Sequence, residues 1–176
     1  MSVLPKMTDR NVCPTFMIIG IVAADQNGAI GKGGKLPWHY SADMKFFKET
    51  TTGNAVAMGR KTWLTLKKPL PNRLNIVLSR KAEIEPEDSV VVLRDVDSVL
   101  DLAKTLDFDL YVIGGEQVYG SFLSYIDQWI VTRVPLVVED ADAFVPQSYL
   151  DGFQEVGSRE LEPNLVAHYY ERMVTD

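Results

Sequence analysis

At 176 residues, with 46% hydrophobic and 24% charged side chains, the chain has the composition of one soluble domain able to bury its own core, and disorder is excluded. A formal net charge of −6, with basic residues scattered and never in a run, argues against a nucleic-acid or anionic-membrane surface and leaves a small molecule as the expected partner. Cys13 is the only cysteine and His39 and His168 the only histidines, so neither an intramolecular disulfide nor a metal site is expected, and a reducing cytoplasm fits best.

In chain order, residues Met1–Phe16 show neither the helical nor the strand period and read as an extension outside the fold, either a vector remnant or a native tail. The apolar stretch around Met17–Ala24 is too short to span a bilayer, and no signal-peptide pattern precedes it. Compact apolar runs predict strands at Ile18–Ala24, Asn54–Met58, Leu74–Leu78, Val90–Leu93 and Leu110–Ile113, each buried on both faces. Helices are predicted between them at Ala42–Thr50, Lys61–Leu66, Val96–Leu106 and Glu116–Leu123. This alternation is a βαβ series and implies a mostly parallel sheet with helices on both sides and right-handed crossovers. Gln128–Val134, Phe153–Arg159 and Val166–Arg172 follow with no helix between them, which predicts an antiparallel finish.

Several segments could carry chemistry, and each also has a plainer reading. Gly28–Trp38, with Gly31, Gly33 and Gly34, is a long glycine-rich connection that suits a lid or simply a flexible surface loop. Leu36 stands where a third glycine would be needed, so it is not a dinucleotide fingerprint. Ser41 is a candidate N-cap, and Asp43 in the first turn could merely complement the helix dipole. Yet Asp43 and Phe47 lie four apart, which puts a carboxylate on an apolar face, where it needs a partner. A flat heterocycle with adjacent N–H donors would pair both oxygens while packing on Phe47.

Met58–Trp63 runs from a strand into a helix and offers Arg60 and Lys61 to a phosphate, or forms a solvated basic turn. Ser79, Arg80 and Lys81 follow the next strand and would share that edge of the sheet. Gly114–Gly115 lets a backbone approach a pyrophosphate, or serves tight packing alone. Arg73 ends a rigid Pro-rich loop and can take a carboxylate bidentately, or is an ordinary surface arginine.

Read together and in order, Gly-Ala-Ile-Gly at Gly28–Gly31, Leu36–Trp38, Asp43 with Phe47, Met58–Trp63, Pro69–Arg73, Leu78–Arg80 and Ile113–Gly115 resemble the dihydrofolate reductase family, over about Met17 to Met173. The resemblance implies a single α/β domain over residues 17–173: a central, mostly parallel eight-stranded sheet with an antiparallel last strand, flanked by four helices. It implies NADPH as cofactor, dihydrofolate as substrate, antifolates as inhibitors, and a monomer in the cytoplasm. Asp43, Trp38, Leu36 and Thr132 would be the catalytic set, with Asp43 on the pterin amino group and ring N–H and Thr132 hydrogen-bonding that carboxylate. Val22, Ala23, Met44 and Ile113 would adjoin the substrate, Phe47, Leu66 and Leu70 would pack on it, and Arg73 would hold its glutamate α-carboxylate.

On the cofactor side the resemblance implies Ala23, Ile30 and Leu36 along the nicotinamide, with Gly31 and Ile113 beside them. Arg60, Thr62, Ser79 and Arg80 would hold the phosphates, joined by Gly59, Lys61 and Leu78. Gly114 and Gly115 match a pair that the family joins by a cis peptide, and Glu116, Gln117, Val118 and Tyr119 complete that side. Gln117 departs from relatives that carry arginine there, and Glu139–Pro146 is one residue longer than the most familiar bacterial version. A reductase of the same fold acting on a ribosyl-pyrimidine in riboflavin synthesis is disfavoured by Asp43 with Arg73, and a non-catalytic pteridine carrier by the full nicotinamide lining.

Overall fold

The computed structural model describes residues 16–81, 84–85 and 87–174. The extension read over Met1–Phe16 lies outside the described residues except for Phe16, which is partly buried against the core. The strands are β1 (Ile18–Ala24), β2 (Ala29–Gly31), β3 (Ala55–Gly59), β4 (Leu74–Leu78), β5 (Val90–Leu93), β6 (Leu110–Gly114), β7 (Gln128–Arg133), β8 (Ala143–Phe144), β9 (Phe153–Glu162) and β10 (Leu165–Arg172). The helices are α1 (Ser41–Thr51), α2 (Arg60–Thr65), α3 (Val96–Ala103) and α4 (Glu116–Phe122), the last continuing into a 3-10 turn over Leu123–Tyr125.

Eight strands make one sheet in the order β5-β4-β3-β6-β1-β7-β10-β9. The antiparallel finish is confined to β10, which runs against both β7 and β9. β7 is parallel to β1, because α4 carries the chain back across the sheet before β7 begins. The strand period of two divides the core into two layers. Ile18, Val22, Ala55, Ala57 and Val131 join Val99 of α3 and Phe122 of α4 in one layer. Ile19, Ile21, Val56, Met58 and Ile130 join Phe46 of α1 in the other, with Trp63 of α2 packed against it. Alternation puts position 20 on the first face with Ile18 and Val22, and it is glycine because Trp129 fills the space beside it: a Cβ there would meet the indole carbons at 2.4 Å.

Local chemistry explains the departures from the expected elements. Ser41 is not the N-cap of α1; Tyr40, in extended conformation, is, and no side chain caps the helix. Asp95 caps α3, accepting from the Ser98 N–H at 2.8 Å. That helix stops at Ala103, short of Leu106, because its end turns over, with Leu106 N donating to Ala103 O. β9 runs past Arg159 to Glu162 as an edge strand rich in charge, which blunts pairing with another sheet.

The largest difference lies in Gly28–Trp38, where Ala29–Lys35 form a paired ribbon and Leu36–Trp38 are left without regular structure. β2 pairs antiparallel with β8, and Lys32 and Lys35 close a tight turn whose central Gly33 and Gly34 have φ of 59° and 77°. Asp25, buried at the base, accepts from Asn27 N and Ala29 N through Oδ1 and from Val138 N through Oδ2. It thereby ties the ribbon to the segment after β7.

Candidate active site

The alternation that sorts the core also aims the site. Ala23 and Thr132 are partners in register on β1 and β7, and they follow Ile21 and Ile130 onto the face covered by α1. Ile113, near the end of β6, is half-buried against the same layer together with Phe47, Leu66 and Leu70. Asp43 comes down onto this face from the first turn of α1 and accepts a hydrogen bond from the Thr132 hydroxyl. Burial raises the Asp43 pKa above the ordinary carboxylate value, and the Thr132 bond opposes only part of that rise. Desolvation therefore dominates, and a ligand that donates to both oxygens would relieve it.

Arg73, predicted to hold a carboxylate, is buried at the rim of the same layer. Its Nε donates to Pro71 O at 3.0 Å and its Nη1 to Thr51 Oγ1 at 3.1 Å. The guanidinium lies 6.0 Å from the Phe47 ring centroid, so it shares the face on which Asp43 stands. Burial lowers its pKa, which an anion beside it would reverse. Trp38 is half-buried with its Nε1 donor buried and, among the described residues, unpaired. Met44 and Leu36 are exposed. Val22 differs from its neighbours: its side chain belongs to the opposite layer, leaving only its backbone to the α1 face.

The predicted phosphate residues gather at one edge. Gly59 pairs with Leu78, and Met58 with Gly114, so the chain leaves β3, β4 and β6 at adjacent points. Gly114–Gly115 is a cis peptide. Val118 and Tyr119 are core residues here: a Cβ on Gly59 would sit 2.9 Å from Val118 Cγ2, and the Tyr119 hydroxyl donates to Ile21 O at 2.7 Å. They fix α4 and leave the backbone of Gly59, Gly114 and Gly115 bare of side chain at the edge. Thr62 lies beside Gly115, half-buried, and Lys61, Glu116 and Gln117 are exposed. Within β2, Ile30 is partly buried against the core and Gly31 is buried.

A cavity of about 200 Å³ beside this edge is lined by Ser79, Arg80, Lys81, Ile84, Val92 and Arg94. Arg94 and Val92 escaped the sequence reading, although Arg94 directly follows β5 as Arg80 nearly follows β4, which was the available signal. A larger hollow of about 530 Å³ lies between Lys32–Pro37 and Leu136–Glu139 and shares only Leu36 with the cleft. The arrangement as a whole suits a flat ring over the α1 face and an extended, multiply anionic group along the strand ends; bare glycine backbone and several cations fit a dinucleotide there.

Comparison with known proteins adds to this geometry. The dihydrofolate reductase family profile matches residues 17–174. The chain is similar to a dihydrofolate reductase of Haemophilus influenzae, 36% identical over 133 residues, which are 76% of this chain and 79% of that one. It is 32% identical over 159 residues to a dihydrofolate reductase of Staphylococcus haemolyticus, covering 87% of this chain and 94% of the relative. Among solved structures it is similar to dihydrofolate reductase from Enterococcus faecalis complexed with NADP(H) and RAB-propyl, with a TM-score of 0.80 and 31% identity over 89% of this chain and 96% of that one.

Proposed function

The chain belongs to the dihydrofolate reductase family, and from that premise we propose how its residues carry the reduction of 7,8-dihydrofolate to 5,6,7,8-tetrahydrofolate by NADPH. The product supplies one-carbon units for thymidylate, purine and methionine synthesis. When bound, the reduced nicotinamide supplies a hydride to C6 of the substrate while N5 takes a proton. The residues of the chain bind, align and keep the cleft dry.

Asp43 accepts from the pterin amino group and ring N–H, and its charge favours protonation at N5, which water delivers. Thr132 holds that carboxylate in place, and Trp38 donates into the cleft. Phe47, Leu66 and Leu70 pack on the substrate body, and Arg73 pairs with the α-carboxylate of its tail. Ala23, Ile30 and Leu36 bound the nicotinamide, while Arg60, Thr62, Ser79 and Arg80, now with Arg94, hold the phosphates. One observation carries the reading: a carboxyl raised in pKa by burial, one turn before Phe47 on α1 and hydrogen-bonded to Thr132, on the face that Arg73 borders. A cytoplasmic monomer that antifolates inhibit completes it. Charges along the edge strand β9, including Glu155, Arg159, Glu160 and Glu162, support the monomer by opposing edge-to-edge pairing.

The test is spectrophotometric. NADPH absorbance is expected to fall when dihydrofolate is added and to hold steady with the ribosyl-pyrimidine substrate of riboflavin synthesis. The opposite pattern would overturn the assignment.

A further inference from the structure

A two-stranded ribbon satisfies only the N–H groups that point between its strands. In β8 and its flanks, Val145 N donates to Gly28 O at 2.9 Å and Asp142 N to Gly31 O at 3.2 Å, both towards the β2 side. Phe144, between them, points its N–H out of the opposite edge. That donor is taken by Glu116 Oε1 at 3.2 Å. Glu116 is the first residue of α4 and directly follows the cis Gly114–Gly115 peptide, and α4 is itself fixed to β1 through the Tyr119 hydroxyl and Ile21 O. Other contacts join the ribbon and its base to the segment after β7: Asp25 with Val138 N, Gln26 N with Leu136 O, Lys32 Nζ with Glu139 O, and Gly33 N with Asp142 Oδ2. The Glu116 bond reaches in another direction, to the edge where the phosphates are proposed to bind.

We propose that Glu116 is a positioning residue that latches the lid ribbon to the cofactor edge, and that its charge weakens the hold on the cofactor's pyrophosphate while doing so. The same carboxylate serves the lid and opposes the anion. Closure of the lid and affinity for the cofactor are thereby set against each other by one side chain. This inference rests on the proposed reductase function for its kinetic half; its structural half stands on the β8 contact alone.

Two substitutions separate the two effects. Glu116→Gln keeps an acceptor for Phe144 N–H and removes the charge, whereas Glu116→Ala removes both. Amide hydrogen exchange of Phe144 in the cofactor-free protein is expected to quicken in Glu116→Ala and to stay near native in Glu116→Gln. Both variants should bind NADPH and NADH about two- to fivefold more tightly at low salt, the range of an exposed charge contact, with the gain fading at high salt. Equal gains for the two cofactors would place the effect at the shared pyrophosphate. Single-turnover hydride transfer at saturating NADPH should slow by a similar about two- to fivefold in Glu116→Ala and recover in Glu116→Gln. Unchanged Phe144 exchange in Glu116→Ala, equal transfer rates in the two variants, or no gain in cofactor affinity would each overturn the proposal. Failure of the native protein to oxidise NADPH would instead overturn the reductase reading and leave the exchange result to decide the latch.

Discussion

Asp43 illustrates how one residue sets stability against function. Burial raises its pKa, so the folded chain keeps the proton to higher pH than the unfolded chain does. Its favourable contribution is therefore present below the unfolded pKa and is lost as pH rises through the folded pKa. Asp43→Asn, neutral throughout, should melt higher than the native protein at pH 7, and the gap should close as the pH falls through and below the ordinary carboxylate range. The same variant should slow single-turnover hydride transfer by about a hundredfold at neutral pH and regain rate in acid, where solvent can protonate N5. A native rate at neutral pH would reduce Asp43 to a helix-terminal acid. Arg73 gives a complementary test. Arg73→Leu takes donors from Thr51 Oγ1 and Pro71 O, but the hydroxyl still donates to Phe47 O at 2.8 Å and Pro71 is exposed, so little is left unsatisfied. The expected outcome is a Michaelis constant for dihydrofolate raised about thirtyfold, the scale of a lost charge-assisted pair, with NADPH affinity unchanged. A fall in NADPH affinity with dihydrofolate unaffected would put Arg73 in the wrong site.

At the scale of elements, what could be read from sequence follows from how each element is stabilised. β1, β3, β4 and β6 stand between two helical layers, so burial on both faces wrote apolar runs that locate them to within about a residue. β2 and β8 have three and two residues, too few to show a period, and they meet across more than a hundred positions of chain. A long glycine-rich connection was legible there; a ribbon was not. The ordered motifs carried Asp43, and the resemblance they support carried Thr132 and its bond to that carboxylate; no local pattern around Thr132 signals it, because the bond is set by the phase of β7 against α1. Arg94 follows β5 much as Arg80 follows β4, but its weight as a site residue shows only once the sheet brings the two to one cavity. Two glycines test this division between local and packed elements. Gly34→Ala meets no atom within 4 Å, and its cost is the backbone penalty of φ 77° alone, about 1 kcal/mol, confined to the lid turn. Gly20→Ala drives a methyl into the buried Trp129 ring and should cost the whole domain about 1–3 kcal/mol. Denaturant melts should therefore show Gly20→Ala well below native and Gly34→Ala near it, while hydride transfer responds to Gly34→Ala.

Across the whole molecule, charge is distributed against its own sum. The chain carries a net −6, yet Arg60 and Lys61 follow β3, Arg80 and Lys81 follow β4 within three residues, and Arg94 follows β5. These strands are neighbours at one side of the sheet and run in parallel, so their cations collect at one edge and outnumber the acids nearest them, Asp95 and Glu116. A field of that shape steers a multiply charged anion to the edge despite the repulsion of the whole. Arg80 and Arg94 line the small cavity with Ser79, whose hydroxyl donates to Lys81 O and accepts from Lys81 N and so shapes the turn that presents them. A 2′-phosphate dianion there would gain charge-assisted hydrogen bonds that NADH cannot offer. Arg80→Ala should weaken NADPH binding by about tenfold and leave NADH binding nearly unchanged, because only the phosphate ester distinguishes the two. Arg94→Ala should do the same to a smaller degree, and the double variant should bring the two cofactors close to parity. Salt gives an independent reading: raising ionic strength should weaken NADPH more than NADH in the native enzyme, and the difference should shrink in each variant. If Arg80→Ala and Arg94→Ala lower the affinity for both cofactors equally, these residues bind the shared adenosine diphosphate, and the selectivity must come from Arg60 on the far side of the edge.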